Sequence, residues 1–184
     1  EWSVAYPDFV SKIIAYVGTT KMSSYDLLWM NTQLSIIETG KRYAISEQET
    51  RKSLAMIMAG LARTPEYVIE KTKPDEFKNY LLSFEKEYAQ SFTLEDYLFQ
   101  LKAMINHDIS SEFNGSIDGT IKSIKAKLFL IISENDLLVN PTEQIRFAKL
   151  TNSKTLFLNN NCGHLAVSCE IAKCREEIDK FLSE

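Results

Sequence analysis

Two side chains, Asp136 and His164, have the types and the setting for proton-transfer chemistry. A carboxylate bound to an imidazole fixes its tautomer, orients the ring and stabilises its charged form, so that the far ring nitrogen can serve as a general base. Asp136 follows the apolar run Leu128, Phe129, Leu130, Ile131, Ile132 and the turn Ser133-Glu134-Asn135. His164 closes the stretch Asn161-Cys162-Gly163-His164, just past a second apolar run, Thr155-Leu156-Phe157-Leu158. The two residues are 28 positions apart. Taken singly, each is more commonly an ordinary loop carboxylate or a satisfied structural histidine than a catalytic group. Placed after two successive strands, they converge on one edge of a sheet, where open α/β sheets carry their sites. Of the two histidines in the chain, His107 is the only rival imidazole.

The elements that must position the pair follow from the same stretch. Five consecutive apolar residues, too few for a stable helix and bounded by polar ones, predict a strand buried on both faces, which is the pattern of a parallel sheet. Asn140 can cap the next helix, Pro141 suits its first position and Glu143 complements the positive end of its dipole, so a helix is expected over about 141–150. The segment is then one strand–helix–strand unit. Both functional residues leave it at the carboxyl edge.

Between Ser24 and Asn106 the apolar spacing turns helical. Leu27, Leu28, Leu34 and Ile37 share a face of a first helix that Gly40 should end, and Ser46-Glu47-Gln48-Glu49 reads as a capping box for a second, running to about Ala62 with Leu54, Ile57, Met58 and Leu61 inward. Pro74 opens a third, striped by Phe77, Tyr80, Leu81, Phe84 and Tyr88, and Thr93 caps a fourth that carries Tyr97, Leu98, Leu101 and Met104. The alternating charges from Glu66 to Lys78 read as a solvated face. Four helices inserted between core strands make a cap, which can close a site against water. A short helix is expected near Ile117 to Ile124. Val167, Ile171, Cys174, Ile178, Phe181 and Leu182 predict one closing amphipathic helix.

Composition narrows the classes. With 184 residues, 45% of them hydrophobic, the chain can bury a sizeable core, and a net charge of −4 argues against nucleic acid or an anionic membrane as partner. No apolar run reaches the roughly 20 residues of a membrane span. The three cysteines, Cys162, Cys169 and Cys174, form no framework spacing, which fits a reducing cytoplasm better than a disulfide-stapled domain. Their gaps of 7 and 5 are unlike a zinc knuckle, so no metal site is expected. Cys162 shares the loop of His164, and nothing in such a loop aims its sulfur as a nucleophile.

Glu134-Asn135-Asp136-Leu137-Leu138-Val139-Asn140-Pro141, followed by Asn161-Cys162-Gly163-His164, resembles the acid and histidine ends of an α/β-hydrolase, and is similar to its homoserine O-acetyltransferase branch. Glu1 to Val10, with its Tyr6-Pro7 pair, resembles the helix after that family's nucleophile turn, and Ser11 to Thr19 the next strand. Asp96 to Met104, with His107-Asp108, resembles the segment that returns from the lid. The resemblance implies an α/β fold, the C-terminal half of an α/β-hydrolase, with parallel strands and an inserted helical cap. Residues 1–22 and 113–184 would be core and 23–112 cap. It implies Asp136 and His164 as catalytic residues, and Tyr97, Lys102 and Asp108 as binding residues for the acceptor.

The family's nucleophilic serine stands in a Gly-x-Ser-x-Gly turn ahead of the acid and the histidine, and no such turn occurs in these residues. The expectation is therefore a half-molecule whose partner is the N-terminal half of the same protein, and which does not fold stably without it. The implied activity is acetyl transfer to a hydroxyl acceptor, with acetyl-CoA as co-substrate and no bound cofactor, in a cytoplasmic enzyme of methionine biosynthesis, possible as a homodimer through the cap. The stretch Ile37 to Tyr43 departs from the branch's pattern, so a plain esterase is the alternative. A non-catalytic binding subunit is the reading from a different class.

Overall fold

Three parallel strands carry the core: β1 (Lys12–Tyr16), β2 (Lys127–Ser133) and β3 (Lys154–Leu158), in the order β1-β2-β3. The computed structural model describes residues 1–91 and 93–184, and the side chains of all of these except 87–91. The Tyr88 side chain in the expected apolar stripe therefore lies outside the described residues. Ile14 pairs with Phe129 and Ile131 with Leu156, so β2 is the central strand. Its continuous apolar run reflects two faces used alternately. Phe129 and Ile131 enter a cluster with Leu158, Cys174 and Phe181, while Leu130 and Ile132 join Phe147 and Ala148 on the other side. Phe129, Ile131 and Ile132 have no exposed surface, and each is worth about 1.5–3 kcal/mol in burial.

The helices are α1 (Trp2–Ala5), α2 (Ser24–Arg42), α3 (Glu47–Leu61), α4 (Pro65–Lys71), α5 (Phe77–Ser91), α6 (Leu94–Ile105), α7 (Ile117–Ser123), α8 (Thr142–Thr151), α9 (Ala166–Cys169) and α10 (Ile171–Ser183). Helices α2, α3, α5 and α6 pack their own core around Met22, Met30, Ile37, Leu54 and Leu101, while Tyr67 of α4 packs against the sheet-side cluster. Ser23 and Asp26 form a full capping box at α2, and Thr93 and Asp96 one at α6. At α3 only half of the expected box is made, with Ser46 accepting from the Glu49 N–H.

Four expectations change. Gly40 does not end α2; it lies within it, because an added Cβ there would stand 2.5 Å from Thr50 Oγ1, so the glycine permits close approach of α2 and α3. Pro65–Lys71 is a helix, its start capped by Thr64, where the charge pattern alone suggested a solvated face. The closing helix is two, broken at Glu170, so that Cys174 and Phe181 are buried while Ile171 and Leu182 are exposed. Finally, Cys162 and Cys169 form a disulfide and Cys174 is free and buried. The turn at Gly163–Leu165 and the four residues of α9 fold the chain back and bring the two Cα atoms to 6.6 Å, a proximity that a spacing of seven does not announce. No described helix is long and apolar enough to cross a membrane.

Candidate active site

Asp136 and His164 meet. Asp136 sits in the turn after β2, 3% exposed, and its Oδ1 accepts from the N–H groups of Leu138 and Val139, both at 2.9 Å. Its Oδ2 lies 2.8 Å from His164 Nδ1. An ionised carboxylate only accepts, so Nδ1 carries the proton and Nε2 holds the free lone pair. That is the tautomer a general base requires.

The histidine loop is fastened from three sides. Ser133, the last residue of β2, donates through Oγ to the Gly163 carbonyl at 2.7 Å in a buried bond. Thr64, at the start of α4, donates from N and Oγ1 to the Asn161 carbonyl at 3.3 and 2.9 Å. The Cys162–Cys169 disulfide closes the loop around His164. Gly163 has φ of +58°, and a Cβ there would lie 3.1 Å from the Ala62 carbonyl oxygen and the Arg63 backbone, so both the left-handed conformation and the contact with the cap demand glycine.

His164 lines a cavity of about 560 Å³ between cap and core, together with Met30, Gln33, Met58, Tyr97 and Leu138. None of its sixteen described lining residues is Asp, Glu, Lys or Arg. Val17, also in the lining, has φ of +42°, a strained conformation for a β-branched residue at the end of β1. The remaining expected residues separate. Tyr97 lines the cavity and its hydroxyl donates to Gln33 Oε1, with Met58 Sδ at 3.8 Å. Lys102 is exposed and outside that lining. Asp108 is paired with Lys21 at 2.9 Å and accepts from Ser110 N and Oγ, away from the cavity. His107 is in the lining, but both its nitrogens are engaged, by Glu1 and by the Thr19 carbonyl, each at 3.0 Å.

No family model matches the chain. An ethyl acetate hydrolase of Pseudomonas veronii is 23% identical, aligned to all of this chain and 56% of its own length. A homoserine O-acetyltransferase of Methanosalsum zhilinae is 24% identical over all of this chain and 42% of its own. Among solved structures, the acetyl esterase MekB superposes with a TM-score of 0.81 at 21% identity, over 98% of this chain and 56% of that one. This chain has the α/β-hydrolase fold. A homoserine O-acetyltransferase from Bacillus anthracis shares it at a TM-score of 0.76 and 16% identity, over 100% of this chain and 56% of that one. The chain spans about half the length of the curated relatives it matches, so it carries part of the hydrolase fold.

Two residues of this hydrolase-fold site went unremarked in the sequence. Gln33 is 1% exposed and presents the amide that receives Tyr97, yet in the sequence it is a polar residue in a helix like any other. Asp26, also 1% exposed, reads as a helix cap. Gln33 acquires its role only when α2 packs on α6, and Asp26 only when the cap meets the loop after β2.

Proposed function

We propose that Asp136 and His164 are two members of a Ser-His-Asp triad whose serine lies on a segment of the protein outside these 184 residues, and that the site cleaves neutral esters by acyl transfer. The observation that carries this reading is the 2.8 Å contact between Asp136 Oδ2 and His164 Nδ1 at the edge of an uncharged cavity. The serine hydroxyl attacks the ester carbonyl while His164 Nε2 takes its proton, and Asp136 stabilises the imidazolium. The tetrahedral adduct collapses, the alcohol leaves with the proton from Nε2, and an acyl-serine remains. Water then attacks the acyl carbonyl, gives a proton to Nε2, and the carboxylic acid leaves as the serine is restored.

The uncharged lining favours water or a small alcohol over an amino-acid acceptor, whose ammonium and carboxylate need charged partners when buried. The second reading, transfer of acetyl from acetyl-CoA to homoserine, draws support from the relatives that bear that name and from Tyr97 in the lining. Lys102 and Asp108, outside that lining, do not add to it. Exposed aromatic side chains beside the sheet, Phe9 at 75% and Tyr16 at 60%, support a covering segment of the same protein as the partner. In the full-length protein, p-nitrophenyl acetate hydrolysis should exceed CoA release with homoserine. His164→Ala should lower that hydrolysis by about 10³-fold or more with little change in thermal midpoint. Near-normal turnover in His164→Ala would sink the triad.

A further inference from the structure

We infer that Asp26, on the first cap helix, is a positioning residue for the Asp136–His164 pair, an assignment that rests on the acyl-transfer reading above. Asp26 Oδ2 accepts from Ser23 N at 2.9 Å and Ser23 Oγ at 2.7 Å, which completes a capping box of an ordinary kind. Its Oδ1 does something a cap does not require. It accepts from the backbone N–H of Asn140 at 2.8 Å, across 114 positions of sequence.

Asn140 ends the loop that Asp136 begins. Asp136 Oδ1 takes the N–H groups of Leu138 and Val139, and Asp26 Oδ1 takes the next one, so three successive backbone donors end on two carboxylates. One carboxylate holds the loop from within and the other holds it from the cap. Leu138, Val139 and Met22 all line the cavity, so the shared loop is also its wall. Asp26 is 1% exposed, and its two oxygens meet three donors from two parts of the fold. A carboxylate suits that demand because it only accepts; an amide in its place turns one acceptor into a donor facing a donor. Any displacement of the start of α2 is passed through Asn140 to Asp136, and from there to the ring of His164.

The test compares Asp26→Asn with Ser23→Ala in the full-length protein. Ser23→Ala removes the cap hydroxyl and leaves the Asn140 contact in place. Asp26→Asn should lower kcat for p-nitrophenyl acetate about 5- to 10-fold with KM within about 2-fold, as expected when the reacting groups are misplaced and the pocket is kept. It should also broaden or shift the downfield proton resonance of the His164 Nδ1–H. Ser23→Ala should leave both within error of wild type. If Asp26→Asn does not fold, Asp26→Glu, which keeps two acceptors displaced by one methylene, is read by the same two measurements and should fall between. The two substitutions of Asp26 and Ser23 acting alike, or a folded Asp26 variant matching wild type in kcat and resonance, overturns the positioning role alone, provided that His164→Ala is inactive. Retained activity in His164→Ala overturns the site reading and this role with it.

Discussion

Asp136→Asn separates the chemistry of the site from its architecture. The side chain is 3% exposed and makes three contacts: Oδ1 with the N–H groups of Leu138 and Val139, and Oδ2 with His164 Nδ1. An asparagine can keep its carbonyl oxygen on the two backbone donors and place its amide nitrogen where Oδ2 was. The loop then stays satisfied, but the imidazole faces a donor. It must turn its Nδ1 lone pair to the amide and carry the proton on Nε2, the tautomer that cannot act as a base. A loss of about 10⁴ in kcat follows, equivalent to roughly 5.4 kcal/mol of transition-state stabilisation. Unfolding should change by no more than about 1 kcal/mol, the scale of one exchanged hydrogen bond. Asp136→Ala behaves differently, because it strands two buried N–H groups at about 1–3 kcal/mol each. The assay pairs p-nitrophenyl acetate hydrolysis with urea unfolding of both variants in the full-length protein. Asn within tenfold of wild type in kcat, or Asn and Ala equally destabilised, would refute the role given to Asp136.

Gly163→Ala should destabilise by about 2–3 kcal/mol, combining a left-handed residue with a Cβ 3.1 Å from the cap backbone, and should lower activity further by moving His164; a urea midpoint equal to wild type would contradict the tight fit. For Asp108, burial works against the charge, but hydrogen bonds from Ser110 and Lys21 outweigh it and pull the carboxyl down to about 2 from an ordinary 3.8. Its folded value lies below its unfolded one, so its stabilisation is complete above pH of about 4 and fades as pH falls toward 2. Wild type should therefore lose urea resistance over that window more steeply than Asp108→Asn, and parallel curves would remove the Lys21–Asp108 bridge from the account.

The strands and the paired residues were legible because their signals are local. A two-faced strand writes an unbroken apolar run, as in Leu128 to Ile132, and a site at the carboxyl edge places its residues just past such runs. The cap of α6 follows the same logic, since its box is made within four residues, from Thr93 to Asp96. What was hidden depends on distant partners. Gly40 looked like a helix end because the residue it admits, Thr50, lies on the next helix. Helix α4 hid behind charges that its exposed position tolerates. The disulfide needed the turn at Gly163–Leu165 and the single turn of α9 before its spacing had meaning.

The cap is therefore more than a lid laid over a finished site. Its residues 62–64 hold the histidine loop, through the Ala62 and Arg63 backbone against Gly163 and through Thr64 on the Asn161 carbonyl. Its Asp26 holds the acid loop through Asn140. Both loops that follow β2 and β3 are thus anchored twice, once to the sheet and once to the cap. Contacts from the cap reach the loops of both the carboxylate and the imidazole that meet at 2.8 Å. The apolar wall of the cavity, formed by residues of both parts, supplies the burial that favours the docked arrangement. On the proposed acyl-transfer reading, an ester filling this space would add to that burial, so its occupancy and the alignment of Asp136 with His164 would draw on the same surface.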